Sequence, residues 1–177
     1  MPCVIGIDPG SKCTGVAVVE DDTLIEVAAL RLDSKHTSET IRQLAAPLEL
    51  LFERLNPDLV VVEGQHYHAG GRSPAKDILK LANVAGAIAG IAATASTAKI
   101  AIPPAAEWKG QTPKPMNQAR SFAHFGIAYT RGPSFCWPKG CSKVAQVVGY
   151  GSLKKVDWKE VADALGLARF GVDLLRS

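Results

Sequence analysis

Val4-Ile5-Gly6-Ile7-Asp8-Pro9-Gly10-Ser11-Lys12, near the start of a 177-residue chain, decides the fold. An unbroken apolar run that stops at an acid reads as a buried strand over residues 2–8. Pro9 and Gly10 then supply the backbone angles of a tight turn. A second strand follows over residues 14–19. The acidic turn Glu20-Asp21-Asp22 leads to a third over residues 23–30. Three β-rich runs joined by two short turns make an antiparallel meander.

Beyond His36 the apolar period changes from two to three and four. Ile41, Leu44, Leu48, Leu51, Phe52 and Leu55 line one face of a helix that Pro47 should kink and Asn56-Pro57-Asp58 should end. Leu59-Val60-Val61-Val62-Glu63 is a second apolar run stopped by an acid, the pattern of a strand buried on both faces in parallel pairing. Ser73-Pro74 opens a helix that should reach residue 94. In it Ala82, Gly86, Gly90 and Thr94 form a stripe of small residues, which implies close packing against its own sheet or, alternatively, a dimer-mate helix. A short strand over residues 99–102 halts at Pro103-Pro104. A helix over residues 116–125 has Gly126 as its terminating residue. Residues 127–156 show no clean period and read as a loop with a hairpin. The last helix, residues 158–170, turns Trp158, Val161, Leu165 and Ala168 inward. Meander first and alternating helices and strands afterwards give an α/β fold: a mixed five-stranded sheet with helices on both faces.

The length suits one domain over residues 1–177. With 47% hydrophobic and 21% charged residues the chain is globular in composition rather than disordered. No signal peptide is legible, and the apolar run over residues 84–93 is too short to span a bilayer. The expectation is a cytoplasmic protein without a membrane partner. Cys136 and Cys141 lack a companion Cys/His pair at zinc spacing, so the four cysteines are read as free thiols. The net charge of +3 divides unevenly: −3 over residues 1–100 and +6 over residues 101–177. Between Lys109 and Lys159, nine basic residues face one acid, Asp157, which suits a polyanionic partner.

Asp8 and Glu63 each end a strand. If those strands are neighbours, the two carboxylates converge. Glu160 and Asp163, three apart, share one face of the last helix. Four converging carboxylates repel unless cations hold them, and hard divalent ions with oxygen ligands, Mg²⁺ or Mn²⁺, meet that need. A pair of such ions is the machinery of phosphodiester hydrolysis. Plainer roles stand beside these: Asp8 as a turn former, and Asp157-x-x-Glu160 as a capping box. His66 and His68 flank Tyr67 beside Glu63, and Trp108 and Trp137 sit among lysines where they could stack on bases.

Ile5-Gly6-Ile7-Asp8-Pro9-Gly10-Ser11-Lys12 with Thr14-Gly15, then Val61-Val62-Glu63, then Ala162-Asp163-Ala164-Leu165 resembles the RuvC family of Holliday-junction resolvases. The resemblance implies an RNase H-like fold, a homodimer, two Mg²⁺ per active site with Mn²⁺ as a substitute, and paired nicks across a four-way DNA junction. It assigns Asp8, Glu63, Glu160 and Asp163 as catalytic metal ligands. Lys12, Tyr67, Lys109, Lys114 and Arg120 become the DNA-contact candidates. The chain departs from the family in four places. Glu160 stands where Asp is usual, and Gly64 intervenes before Gln65. Tyr67 falls one place late, and residues 130–157 read as an insertion. The rivals are a structure-specific nuclease for flaps or other branched DNA, a catalytically inactive nucleic-acid-binding module, and a sugar-kinase-like phosphotransferase. The last would need a second domain to close over its nucleotide.

Overall fold

The computed structural model describes residues 1–33, 36–65, 74–132, 134, 136–138, 149 and 153–177. β1 (Cys3–Asp8), β2 (Cys13–Glu20) and β3 (Thr23–Arg31) form the expected meander. β4 (Leu59–Val62) and β5 (Lys99–Ala101) add to it in parallel, giving one sheet of five strands in the order β3-β2-β1-β4-β5. A β-bulge interrupts the β2–β3 ladder between Val18 and Val19.

Strand parity assigns the two faces. Ile5, Ile7, Val16, Val18, Val60 and Val62 point to one side, where they pack with α1 (Thr37–Leu55) and α2 (Ala75–Ala95) through Leu44, Leu48, Phe52, Val84 and Ile88. Val4, Ala17, Val19, Leu59 and Val61 point to the other, against α5 (Trp158–Arg176) and Phe122 of α4 (Lys114–His124). Because side chains alternate along a strand, Asp8 shares the side of Val4, and Glu63 that of Val61. Both acids are therefore committed to the α5 face by sequence parity alone.

α5 lies directly on that face. A Cβ added to Gly6 would run into the carbonyl oxygen of Ala164 and the amide of Ala168, and one added to Gly15 into the carbonyl of Glu160. Only glycine lets the helix backbone approach so closely. Trp158, Val161, Leu165 and Ala168 are buried as expected, but so are Ala162, Asp163, Ala164 and Leu167, because α4 covers the helix from outside. α5 also runs six residues beyond its expected end, to Arg176.

Other expectations needed revision. α1 continues through Pro47 as one helix of 19 residues. A four-residue helix, α3 (Ala105–Trp108), follows Pro103-Pro104, where only a strand stop was read. α4 starts two residues early, and its end is a Schellman motif: Gly126 sits at φ 65°, and Ile127 N–H bonds Phe122 C=O at 2.8 Å. β6 (Tyr129–Arg131) and β7 (Cys136–Pro138) form the suspected hairpin, while most of the residues read as an insertion lie outside those described. Asp157 precedes α5 without capping it, since its carboxylate takes Arg31 and the Lys154 amide instead.

The largest revision concerns α2. Its stripe does not pack on the sheet: Gly86, Gly90 and Thr94 are exposed, and a Cβ on either glycine would meet nothing within 4 Å. The helix is also, by length and composition, apolar enough to cross a membrane over its 21 residues, contrary to the reading of residues 84–93 alone. Here Val84, Ala85, Ile88 and Ala92 bury one side of it against α1 and the sheet, and the other side is open.

Candidate active site

The parallel pairing of β1 with β4, Ile7 opposite Val62, sets the C-terminal ends of these strands side by side. The ladder continues one residue further, Glu63 N–H to Ile7 C=O at 3.0 Å, so Asp8 and Glu63 become neighbours and their carboxyls share a hydrogen bond. Gly15 is the β2 partner of Asp8 and the point where α5 touches down at Glu160. One helical turn on, Asp163 is 2% exposed and faces the same place. The four acids named from the sequence thus meet at one end of the sheet.

Their mutual field is strong. Asp8 is driven well above the ordinary carboxylate range by burial first, then by the charges of Asp163 and Glu63, its hydrogen bond to Glu63, and Glu160. Asp163 is raised by burial, although Lys114, Lys109 and Gln118 pull it the other way. Three ammonium groups hold the cluster: Lys114 pairs with Asp163, Lys109 with Glu63 at 3.5 Å, and Lys159 with Glu160 at 3.8 Å. Burial works against the charge of Lys114, but Asp163, Asp8 and Glu160 outweigh it and hold its pKa above the lysine range.

Within the basic segment, Lys109 and Lys114, expected to touch DNA, pair with Glu63 and Asp163. Arg120 is exposed and bonded to the Thr112 hydroxyl at 3.3 Å. Lys12 is exposed in the turn after β1, beside a hollow of about 510 Å³ that Arg31, Lys159 and Glu160 also line. Trp108 is half-buried. It packs on the core beside α5, with the Lys109 ammonium 4.9 Å from its centroid. Tyr67, His66, His68 and Cys141 lie outside the described residues, as does the side chain of Trp137. Cys3 and Cys136 are buried and Cys13 half-buried, all free thiols.

One member of the site was missed. Gln118, fully buried on α4, donates to Asp163 Oδ1 at 3.1 Å and to the Lys159 carbonyl at 3.3 Å, and accepts from the Cys136 N–H at 2.9 Å. A lone Gln in a helix gives no signal of this. Only its place one turn after Lys114, on the same face, could have drawn notice.

The donor set suits a hard divalent ion in kind, being carboxylate oxygen throughout. Among the described residues, no three acidic, histidine or cysteine side chains already close around a single ion position. The lysines provide a reason: Lys114 and Lys109 supply to Asp163 and Glu63 the positive charge that ions would otherwise bring. What the arrangement can do is keep four acids together, with three ammonium groups beside them.

A family model described as crossover junction endodeoxyribonuclease RuvC matches residues 4–109. A relative of that name from Aliarcobacter butzleri is 36% identical over 89 residues, covering 48% of this chain and 55% of that one. The chain therefore spans about half the length of the curated relatives it matches. Among solved structures, Thermus thermophilus RuvC superposes with a TM-score of 0.69 at 19% identity, covering 98% of this chain and 95% of that one. The same protein in complex with a Holliday junction substrate gives a TM-score of 0.64 at 17% identity, with 99% and 96% covered. These likenesses establish the RNase H-like fold.

Proposed function

The chain belongs to the RuvC family, and from that premise we propose that it is a metal-dependent endonuclease that resolves four-way DNA junctions by paired nicks. The observation that carries the proposal is the meeting of Asp8, Glu63, Glu160 and Asp163 where β1, β4 and α5 converge. A Holliday junction substrate bound to Thermus thermophilus RuvC supports branched DNA as the ligand. Such a protein acts on DNA in the cytoplasm.

The four acids would hold two Mg²⁺ ions, or Mn²⁺ in their place. When bound, these ions polarise the scissile phosphate and lower the charge barrier to hydrolysis. The chain's own residues do the rest. The pairing of β1 with β4 sets the backbones of Asp8 and Glu63 side by side at one end of the sheet. Gln118 fixes the orientation of Asp163 by occupying one of its oxygens. Lys114 and Lys109 hold Asp163 and Glu63 before loading. On exchange they become free to meet the phosphates of the strand, so the same side chains serve the empty and the loaded centre. Glu160, the longer acid at its position, keeps the charge and is not occupied by capping.

Two nicks on one junction call for two centres related by a two-fold axis. A homodimer through the outer side of α2 supplies them. Leu79, 64% exposed, continues the open side of Asn83, Gly86 and Gly90 on that apolar helix, a surface fit for a second copy.

Cleavage of a four-way junction, a flap and a plain duplex, with and without Mg²⁺, tests the reading. Asp8→Asn and Asp163→Asn should each lose about 10³-fold or more in cutting while junction binding survives. Glu160→Gln should lose activity as well. Wild-type cutting by Asp8→Asn, or cutting of flaps in preference to junctions, would overturn the proposal.

A further inference from the structure

On the flank of α5 beyond the acids lies a second hollow, of about 120 Å³, walled by Trp108, Asn117, Arg120 and Arg169. That is several times the space one water requires. Its floor is open because α5 carries Gly166 there: a Cβ would stand 2.5 Å from the Trp108 ring and 3.2 Å from Asn117 Nδ2. Two residues of its lining carry a buried polar atom with no hydrogen-bond partner among the described residues, Trp108 Nε1 and Asn117 Nδ2. Asn117 as a whole is only 8% exposed. An orphaned buried donor costs about 1–3 kcal/mol, so two on residues that line one hollow favour a ligand that reaches them.

Both orphans are N–H donors, and the charges beside them are cationic. Arg169 forms no ion pair among the described residues, and Arg120 is bonded only to a hydroxyl. Lys109 adds a third cation and Asp173 the single acid. Unpaired donors with excess guanidinium select an oxyanion and reject a cation or an apolar group. Lys109 also ties the hollow to the acidic centre, lying over Trp108 on one side and bonded to Glu63 on the other.

We propose that this hollow is a phosphate-binding subsite that grips one phosphodiester of the DNA strand, away from the bond being cut. Its chemistry stands on these residues; DNA as the source of the phosphate rests on the nuclease reading above.

Two measurements test it. The first follows the indole N–H resonance of Trp108 during titration with inorganic phosphate and with a four-way junction. Both should move it in the wild type, and Arg169→Gln should abolish the response to phosphate. The second is junction affinity against salt. Arg169→Gln should lower the log–log slope by about 0.9, one phosphate's worth, whereas Arg176→Gln, which removes the same charge from the same helix, should not. An indole indifferent to both ligands, or equal slopes for the two variants, refutes the subsite. If phosphate moves the indole but the wild type binds no DNA, the subsite stands and the nuclease reading falls.

Discussion

α5 and α2 carry similar small-residue patterns and use them in opposite ways. On α5, Ala164 and Ala168 let the helix press onto β1 while the Glu160 backbone meets β2, and Gly6 and Gly15 give way in turn. On α2, a Cβ added to Gly86 or Gly90 would meet nothing within 4 Å. Small residues at helical spacing therefore announce a close neighbour without saying whether it belongs to the same chain. The acids follow the same division: Glu160 and Asp163 sit on the helix whose position is over-determined by close packing.

The sharpest way to break the comparison is to add volume under α5. Gly15→Val should cost about 3 kcal/mol or more, because the obstruction is helix backbone that cannot rotate aside. In urea the variant should unfold at much lower concentration or fail to fold. A near-wild-type midpoint would mean that α5 does not lie where described.

Gln118→Leu should come next, destabilising by about 1–3 kcal/mol since it strands the buried Cys136 N–H. It should also reduce cutting, whereas Gln118→Glu, which still accepts from Cys136, should restore more of the stability than of the activity. If both variants behave alike in both assays, Gln118 is mere filler.

The pH dependence separates two acids at the two edges of α5's first turns. Without divalent ions, the folded pKa of Asp8 lies above its ordinary 3.8. The native state then holds the extra proton, and stability should rise as pH falls through the Asp8 folded pKa toward 3.8. Asp157 is the reverse case. Burial opposes its charge, but Arg31 and the Lys154 amide prevail and lower its pKa below 3.8. Its contribution is present above the ordinary value and lost as pH drops through the lowered one. Urea midpoints in chelator across this range should rise and then fall on acidification, and Asp8→Asn should diminish the first limb, to which the raised Asp163 also contributes, and leave the second.

Smallest is the expected effect on α2. Gly86→Ala should raise the stability of the monomer, measured at high dilution, by about 0.5–1 kcal/mol, because its Cβ enters open space. The same change should weaken self-association at higher concentration. Destabilisation at dilution would show that the outer side of α2 is already packed, and the contrast with α5 would collapse.

Most of the sheet was legible because each strand is an apolar run with a chemical stop: Asp8 before Pro-Gly, Glu63 after three valines, acidic turns between β2 and β3. Parity then brought Asp8 and Glu63 to one face without further information. The i, i+3 pair on α5 was legible for a similar reason, since helical spacing is local. What the sequence could not convey was which neighbour a side chain meets. Lys109 and Lys114 read only as DNA contacts, because charge composition does not reveal that Glu63 and Asp163 also lie beside them. Gln118, Asn117 and α3 left no periodic trace. The stripe on α2 was read as buried because its spacing is the same whether or not a partner is present.

The long reach from β1 to α5 has a consequence for synthesis. Asp8 and Gly6 are made near the start of the chain, and the helix that covers them only after residue 157. Until then one whole side of the sheet, Val4, Ala17, Leu59 and Val61 included, has no cover from α5. Contacts of such sequence separation form slowly and leave apolar surface open in the interval. A ribosome-bound chain halted before residue 160 lacks half of the acids. The four acids thus cannot come together on a chain that stops short of α5.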